Sequence, residues 1–170
     1  MLLSICIPTY NRPTHLENCL ESIYISKRNC KNFKFEVCIS DNGSKHDINK
    51  IIKKYLKKLN IKFNKFKRNL GITPNFLKVV DMASGEFVWT IGNDDLMLPN
   101  SINKISKLLK KYKNTDYFFI NSYNLKSDYL SKYKHPFSTY NLPKNMERFS
   151  KVKKSKSTKF WDIIDPDICF

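Results

Sequence analysis

The chain has 170 residues, 41% of them hydrophobic, which fits one globular domain; no run of about 18 apolar residues occurs, so no membrane-spanning segment is predicted. Its net charge of +16 has three interpretations: a lysine-rich solvated surface, attraction to anionic membrane lipid or, less favoured, binding of nucleic acid. The odd count of five cysteines and an N-terminus without a basic segment argue against a disulfide framework and a signal peptide. We therefore expect a cytoplasmic protein, with peripheral contact to the inner face of the membrane if the charge serves lipid.

The first strand and helix are predicted by a change in the period of the apolar residues. Residues 2–7 form a short apolar run that ends at a proline, as expected of a buried strand. Thr14 and Glu17 have the spacing of a capping box, which predicts the start of a helix there. That helix carries an apolar stripe at helical spacing, made of Leu16, Cys19, Leu20, Ile23 and Tyr24.

The next two predicted strands enclose a lysine-rich helix. Residues 35–40 are a second apolar run, which ends at a turn signal, Asp41-Asn42-Gly43-Ser44. A helix that begins near Asp47 has apolar residues at helical spacing on one face and lysines on the other. Residues 61–66 then alternate between apolar and polar, as expected of a half-exposed strand.

Two prolines predict the starts of the last two helices. Thr73-Pro74 opens a third helix that Gly85 ends, and Pro99 opens a fourth, because proline suits the first helical position. Residues 86–91 form a strand between these helices, and residues 117–120 are predicted to form a further strand. Strands that alternate with helices indicate βαβ units, so the fold class is α/β, with a mainly parallel sheet flanked by helices.

An acidic pair, Asp94-Asp95, stands out among the polar residues that follow the predicted strands. Open parallel sheets bind ligands beyond the carboxyl ends of their strands, which is where this pair lies. Adjacent carboxylates repel each other, so their placement together points to a bound cation. Mg²⁺ is commonly held by one or two carboxylates together with substrate phosphates. The alternative is a polar turn that caps the next helix.

Two other strand ends carry candidate ligand-binding residues. The carboxylate of Asp41 can accept hydrogen bonds from a base N–H or a ribose hydroxyl, although an Asx turn with Gly43 is an alternative role. Arg68 is placed to reach a phosphate, and its alternative is a solvated surface cation. The four glycines form neither a dinucleotide-binding nor a P-loop motif, and the three histidines have no zinc-binding spacing.

Four segments, in the right order, resemble family 2 glycosyltransferases of the GT-A type, which have a Rossmann-like fold. Residues 4–12, Ser-Ile-Cys-Ile-Pro-Thr-Tyr-Asn-Arg, are similar to the first strand and loop of that family, and residues 37–44 to its second. Residues 68–71, with Asn75 following, match a third segment, and residues 84–99 match the strand and acidic motif. The resemblance covers about residues 1–125 and is nearest to O-antigen-type members, including those like abequosyltransferases.

The resemblance implies a nucleotide-sugar site lined by Pro8, Thr9, Asn11, Asp41, Arg68, Asn69, Gly71, Asn75 and Asp94. The first three would line the nucleoside pocket, Asp41 would hold the base, and the next four would lie along the ribose and diphosphate. Asp94 would hold the ribose or sugar and also the metal, Mg²⁺ or Mn²⁺. Asp95 would be the direct metal ligand.

Two departures from the family's pattern bear on activity. The family usually has another carboxylate just before the acidic pair, where this chain has Gly92 and Asn93, so we expect weaker metal affinity and a less strict metal dependence. The family's acceptor-side half, which supplies the general base, does not follow. Residues 126–170 are irregular in pattern and are interpreted as the start of that half, cut short. No motif identifies the base among the late carboxylates, Asp162, Asp165 and Asp167.

The sequence therefore predicts a nucleotide-sugar-binding domain over residues 1–125, with an incomplete part from 126 to 170. The reaction that the resemblance implies is glycosyl transfer from a nucleoside-diphosphate sugar to a sugar or polyprenyl-linked acceptor, in the synthesis of cell-surface polysaccharide such as O-antigen. One alternative is a truncated remnant that binds donor and transfers nothing. The other alternative is a basic nucleic-acid-binding protein. It is less favoured, because the apolar positions of the lysine-rich stretch 50–68 are those of a helical core.

Overall fold

The structure, a computed structural model, describes residues 2–126 and 128–151. Four parallel strands form one sheet in the order β3-β2-β1-β4. The strands are β1 Leu3–Thr9, β2 Phe35–Asp41, β3 Ile61–Lys65 and β4 Phe87–Thr90. The helices are α1 Pro13–Arg28, α2 Asn49–Leu56, α3 Ile72–Asp81 and α4 Ser101–Lys111. The predicted fold class, a parallel sheet flanked by helices, is confirmed.

Both faces of the two central strands are buried, which explains why β1 and β2 read as continuous apolar runs. On one face, Leu3, Ile5 and Ile7 of β1 belong to a core cluster with apolar residues of α1, α2 and α4. On the other face, Cys6 and Cys38 pack with Val79 of α3. The sheet is thus covered by three helices on one side and by α3 on the other.

The two cysteines on the α3 face lie side by side in the centre of the sheet. Cys6 and Cys38 are register partners in β1 and β2, and neither has any exposed surface. Both are free thiols, and Cys6 Sγ lies 3.3 Å from the Val79 carbonyl oxygen as a donor to it. They pack as small apolar residues in the core.

A buried carboxylate ties the start of β4 to β1 and β2. Glu36 Oε1 accepts hydrogen bonds from Ser4 Oγ at 2.7 Å and from the Ser84 N–H at 2.6 Å, while Lys62 Nζ lies 3.0 Å from Oε2. Burial alone raises the pKa of Glu36, but these hydrogen bonds and the Lys62 charge lower the pKa below its ordinary value. Gly85 packs closely against β1, since a Cβ on Gly85 would lie 2.6 Å from the backbone nitrogen of Ser4.

The start of α1 differs from the capping-box prediction. The helix begins at Pro13, which suits the first turn, so Thr14 lies inside the helix and makes no capping hydrogen bond. Glu17 instead accepts a hydrogen bond from Lys54 Nζ at 2.6 Å and lies 2.7 Å from His135 Nε2. The carboxylate that was expected to cap α1 therefore joins it to other segments.

Glycine and proline signals located the other helices to within a few residues. α3 begins at Ile72, two residues before the predicted proline, and ends at Asp81 rather than at Gly85. α4 begins at Ser101, two residues after Pro99. Gly85 serves the close packing against β1 described above instead of ending the helix.

The strand predicted at residues 117–120 is not formed. The described residues give this segment no place in the sheet, whose edge on that side is β4. Phe118 packs edge-to-face against Phe87, with ring centroids 5.8 Å apart, so the apolar residues of the segment contribute a ring contact and not a strand.

Residues 128–151 contain two short 3₁₀ helices, Tyr129–Lys132 and Thr139–Asn141, and otherwise irregular backbone. Phe137 anchors the segment to α1: its side chain is buried and its N–H donates to Asn18 Oδ1 at 2.8 Å. Tyr129 and Tyr133 pack edge-to-face on the Phe137 ring. Irregular backbone here is therefore compatible with fixed packing. The late carboxylates Asp162, Asp165 and Asp167 lie outside the described residues.

Candidate functional site

Thr9, the last residue of β1, brings together the loops at the carboxyl edge of the sheet. Its carbonyl oxygen accepts hydrogen bonds from the Asn42 N–H at 2.9 Å and from Asn75 Nδ2 at 3.4 Å. Its Oγ1 accepts a hydrogen bond from Asn93 Nδ2 at 2.7 Å. The residues that follow β2 and β4 and the first turn of α3 therefore all contact Thr9 at the end of β1. In open parallel sheets, ligands bind beyond this edge, where the strands end.

Asp41, the last residue of β2, is completely buried. Its Oδ1 accepts hydrogen bonds from the N–H and the hydroxyl of Ser44, so the carboxylate holds the turn after β2 through Ser44 and not through the expected contact with Gly43. Its Oδ2 makes no hydrogen bond within the described residues and lies 3.6 Å from Lys65 Nζ. That oxygen therefore retains the capacity to accept a hydrogen bond, with the Lys65 ammonium as its nearby ion-pair partner.

Asn42 joins two loops of the site, a role that the sequence did not reveal. Its Nδ2 donates to Asn69 Oδ1 and to the Gly71 carbonyl oxygen, each at 2.8 Å, and its Oδ1 accepts from the Leu70 N–H at 2.9 Å. Asn69 Oδ1 also accepts from the Gly71 N–H at 2.8 Å. The side chain of Asn42 therefore holds the predicted phosphate-binding loop through three hydrogen bonds.

The same two loops touch at Gly43, where only glycine fits. Gly43 has a φ of 75°, and a Cβ there would lie 2.5 Å from the Arg68 carbonyl carbon. The Arg68 side chain itself is exposed and has no ion pair within residues 2–126 and 128–151. It is thus both a solvated cation in this structure and a group available to an anion.

Pro8 and Asn11 lie on either side of Thr9. Pro8 is half-buried and is the register partner of Ser40. Asn11 has a φ of 52°, which asparagine tolerates, and its N–H donates to Ser44 Oγ while its Oδ1 accepts from the Lys45 N–H, each at 2.8 Å. Asn11 thus fixes the β1–α1 loop against the turn after β2.

Asn75, on α3, is buried and has one unused oxygen. Its Nδ2 donates weakly to the Thr9 carbonyl oxygen at 3.4 Å, and its Oδ1 has no hydrogen-bond partner among the described residues. A buried polar atom without a partner is unfavourable unless water or a ligand satisfies it. Asn75 therefore offers a second acceptor, besides Asp41 Oδ2, at the carboxyl edge of the sheet.

The acidic pair forms a turn after β4 in which the two carboxylates converge. Asp95 Oδ2 accepts a hydrogen bond from the Gly92 N–H at 2.7 Å, and Asp94 Oδ2 lies 2.7 Å from Arg12 Nη1. A Cβ on Gly92 would lie 2.7 Å from Asp94 Oδ1 and 3.1 Å from Asp95 Oδ2, so both carboxylates approach Gly92 closely and a larger residue there would displace them. The alternative role as a helix cap is wrong, because α4 begins only at Ser101 and has no side-chain cap.

Two neighbouring carboxylates that are both exposed to solvent suit a hard divalent cation whose remaining ligands are phosphate oxygens and water. No group of three or more His, Cys, Asp or Glu side chains that would hold a metal by itself is present in the part of the chain that the structure describes. Asn93, which stands where the family usually has a carboxylate, is buried, and its Nδ2 donates to Thr9 Oγ1. The residues present therefore fit Mg²⁺ or Mn²⁺ when the cation arrives with a diphosphate.

The parallel four-stranded sheet flanked by helices is the fold of GT-A glycosyltransferases. The chain belongs to glycosyl transferase family 2, whose family model matches residues 4–169. The resemblance found in the sequence is confirmed, including its likeness to abequosyltransferases. Among the helices of residues 2–126 and 128–151, none has the length and apolar character needed to cross a membrane.

Curated relatives and solved structures agree with this assignment. The chain is 38% identical over 104 residues to abequosyltransferase RfbV of Salmonella typhimurium, an alignment that covers 60% of this chain and 31% of the relative. It is 26% identical to a crystal structure of Staphylococcus aureus TarS 1–349 in complex with UDP-GlcNAc, with a TM-score of 0.59 over 66% of this chain and 32% of that one.

A more distant solved structure shows the fold alone. Mannosyltransferase PcManGT from Pyrobaculum calidifontis, in complex with GDP-Man and Mn²⁺, is 19% identical with a TM-score of 0.54, and the match covers 63% of this chain and 32% of that one. The chain spans about a third of the length of the curated relatives it matches.

Proposed function

We propose that this chain is the donor-binding part of a metal-dependent glycosyltransferase. It would bind a nucleoside-diphosphate sugar with Mg²⁺ or Mn²⁺ and serve glycosyl transfer to a sugar or polyprenyl-linked acceptor in cell-surface polysaccharide synthesis. The observation that carries the proposal is the convergence of the exposed carboxylates of Asp94 and Asp95 beside Gly92, at the edge of the sheet where such folds bind ligands.

The residues of the rim have complementary tasks in this proposal. Asp95, with Asp94, would hold the cation, which stabilises negative charge on the departing diphosphate. Arg68 is an exposed cation next to the loop that Asn42 holds, and it would bind a diphosphate oxygen. The buried acceptors Asp41 Oδ2 and Asn75 Oδ1 would receive hydrogen bonds from donor N–H or hydroxyl groups.

Known proteins support the substrate class. TarS has been solved with UDP and with UDP-GlcNAc, and the relatives RfbV and TarS are named as sugar transferases.

We assign donor binding to residues 1–125 and the start of the acceptor-side half to residues 126–170. We also propose a cytoplasmic location, with the basic surface against the inner face of the membrane, which salt-sensitive binding to phosphatidylglycerol vesicles would test.

A second candidate is a donor-binding chain that transfers nothing by itself. Its support is that every candidate site residue is assigned to donor or metal, and that the sequence carries no motif that identifies a general base. Nucleic acid is not proposed as a partner.

Calorimetry with UDP, dTDP, CDP, GDP and ADP, each with and without Mn²⁺, tests donor binding directly. We expect Mn²⁺-dependent binding that favours the pyrimidine diphosphates, as in the solved TarS complexes with UDP and UDP-GlcNAc, with the Asp41 carboxylate accepting a hydrogen bond from the base N–H. Asp95→Asn keeps the side-chain shape and the hydrogen bond from Gly92 but removes the charge, and should weaken the Mn²⁺-dependent binding at least tenfold.

Asp81→Asn is the matched control, because Asp81 is an exposed carboxylate on α3 paired only with Lys78 in the described structure. It should bind nucleotide and Mn²⁺ as the wild type does. Absence of nucleotide binding in the wild type, or equal affinities for wild type and Asp95→Asn, would refute the proposed site.

A further inference from the structure

Arg12 and Asp94 form an ion pair across the candidate site, although they are far apart in sequence. Arg12 Nη1 lies 2.7 Å from Asp94 Oδ2, and the two side chains are 55% and 50% exposed. An ion pair with this exposure contributes little to stability. Its effect on the position of the Asp94 carboxylate is therefore of more interest than its strength.

The backbone around Arg12 is held in place independently of that ion pair. Asn11 is bound to the turn after β2 through both its N–H and its side chain. The Arg12 carbonyl oxygen accepts the first hydrogen bond of α1, from the Leu16 N–H at 3.0 Å. The guanidinium thus extends from a fixed point, and a substitution of its side chain leaves the start of α1 intact.

The two oxygens of Asp94 have different surroundings. Oδ2 binds Arg12, whereas Oδ1 lies beside Gly92, on the side where Asp95 Oδ2 also lies. Within the described part of the chain, Arg12 is the one cationic side chain within ion-pair distance of Asp94. Its charge also offsets the repulsion between two adjacent carboxylates.

We propose that Arg12 is a positioning residue that holds Asp94 by Oδ2 so that Oδ1 faces Asp95 as a ligand for the divalent cation. The inference rests on the proposed function and deepens it, since it assigns a task to a residue that does not touch donor or metal. Groups that hydrogen-bond a ligating carboxylate commonly alter metal affinity by 10–100-fold when they are replaced.

An alternative role for Arg12, as a competitor of the metal ion, predicts the opposite change in metal affinity. If the guanidinium merely occupied the place of the cation, its removal would strengthen metal binding. If it orients Asp94, its removal weakens metal binding, because the carboxylate then turns freely and must be ordered again when the cation binds. The sign of the change in Mn²⁺ affinity therefore distinguishes the two.

The test measures Mn²⁺ binding by electron paramagnetic resonance of free Mn²⁺, first with MnCl₂ alone and then with UDP. We expect Arg12→Gln to weaken Mn²⁺ binding by about 10-fold or more. Arg12→Lys should restore most of the affinity, since an ammonium keeps the charge although it loses the planar fork of the guanidinium. Both variants should melt at the wild-type temperature, because the exposed pair adds little stability.

Lys54→Gln is the matched control, because Lys54 Nζ pairs with Glu17 Oε1 at 2.6 Å, away from the acidic turn. It should leave Mn²⁺ affinity unchanged. Unchanged or stronger Mn²⁺ binding in Arg12→Gln, with Asp95→Asn still impaired, would overturn the role of Arg12 alone. A wild type that binds no Mn²⁺ even with UDP would overturn the proposed function, and with it the role of Arg12.

Discussion

Replacement of Asn42 by alanine would separate the two loops that this side chain joins. The change removes three hydrogen bonds of 2.8–2.9 Å, to Asn69, Leu70 and Gly71. Each such bond contributes about 0.5–1.5 kcal/mol net to stability. Because residues 69–71 are exposed, water can replace part of what is lost, so we expect a total loss near the lower end, about 2 kcal/mol.

A loss of that size should lower the melting temperature of a chain of this length by roughly 4–8 °C. Urea unfolding, monitored by circular dichroism, measures the change in the free energy of unfolding directly. UDP affinity in the presence of Mn²⁺ should fall in the same variant, since Arg68 lies at the start of the released loop.

Asn64→Ala is the control for this experiment. Asn64 is also an asparagine near the carboxyl edge of the sheet, but its Nδ2 makes a single long hydrogen bond of 3.3 Å, to Ser40 Oγ. It should lose less than about 1 kcal/mol. If Asn42→Ala were no less stable than Asn64→Ala, the inference that Asn42 holds the loop would be wrong.

Two further predictions concern stability at the amino-terminal ends of the strands, away from the candidate site. Gly85→Ala would place a Cβ 2.6 Å from the backbone nitrogen of Ser4, so we expect a loss of about 2–3 kcal/mol in urea unfolding; wild-type stability would contradict that close packing. Glu36 has a folded-state pKa below its ordinary value of 4.5, so its ionised form stabilises the fold above that pH and the stabilisation is lost as pH falls through the lower folded-state value. The stability difference between wild type and Glu36→Gln should therefore be largest near neutral pH and shrink below about pH 4.5 in pH-dependent melting curves, and a difference that stayed constant with pH would contradict the lowered pKa.

The strands at the centre of the sheet were predictable because burial on both faces makes their sequences apolar throughout. Residues 2–7 and 35–40 are bounded by proline and turn signals, so β1 and β2 were located to within two residues, although both strands continue past the predicted ends. Residues 117–120 have the same apolar character, but the described structure does not place them in the sheet. An apolar run predicts that a segment is buried. It does not show whether another strand lies alongside for it to pair with.

The candidate site was predictable only as far as the sheet edge defines it. The rule that loops at the carboxyl ends of parallel strands meet brought Thr9, Asp41 and Asp94 together correctly. The roles of Asn42 and Arg12 depend instead on side-chain contacts between loops 27 and 82 residues apart in the chain. Neither periodicity nor turn chemistry carries information about such contacts.

The paired thiols in the sheet also provide a built-in probe of how the protein opens. A thiol-labelling reagent can reach Cys6 and Cys38 only when β1 and β2 separate from α3, because neither side chain has exposed surface. In a variant in which Cys30 and Cys169 are serine, and after allowance for buried Cys19, the labelling rate would report the population of molecules whose central strands have opened. Labelling in the presence of UDP and Mn²⁺ would then show whether a ligand at one edge of the sheet slows the exposure of its centre.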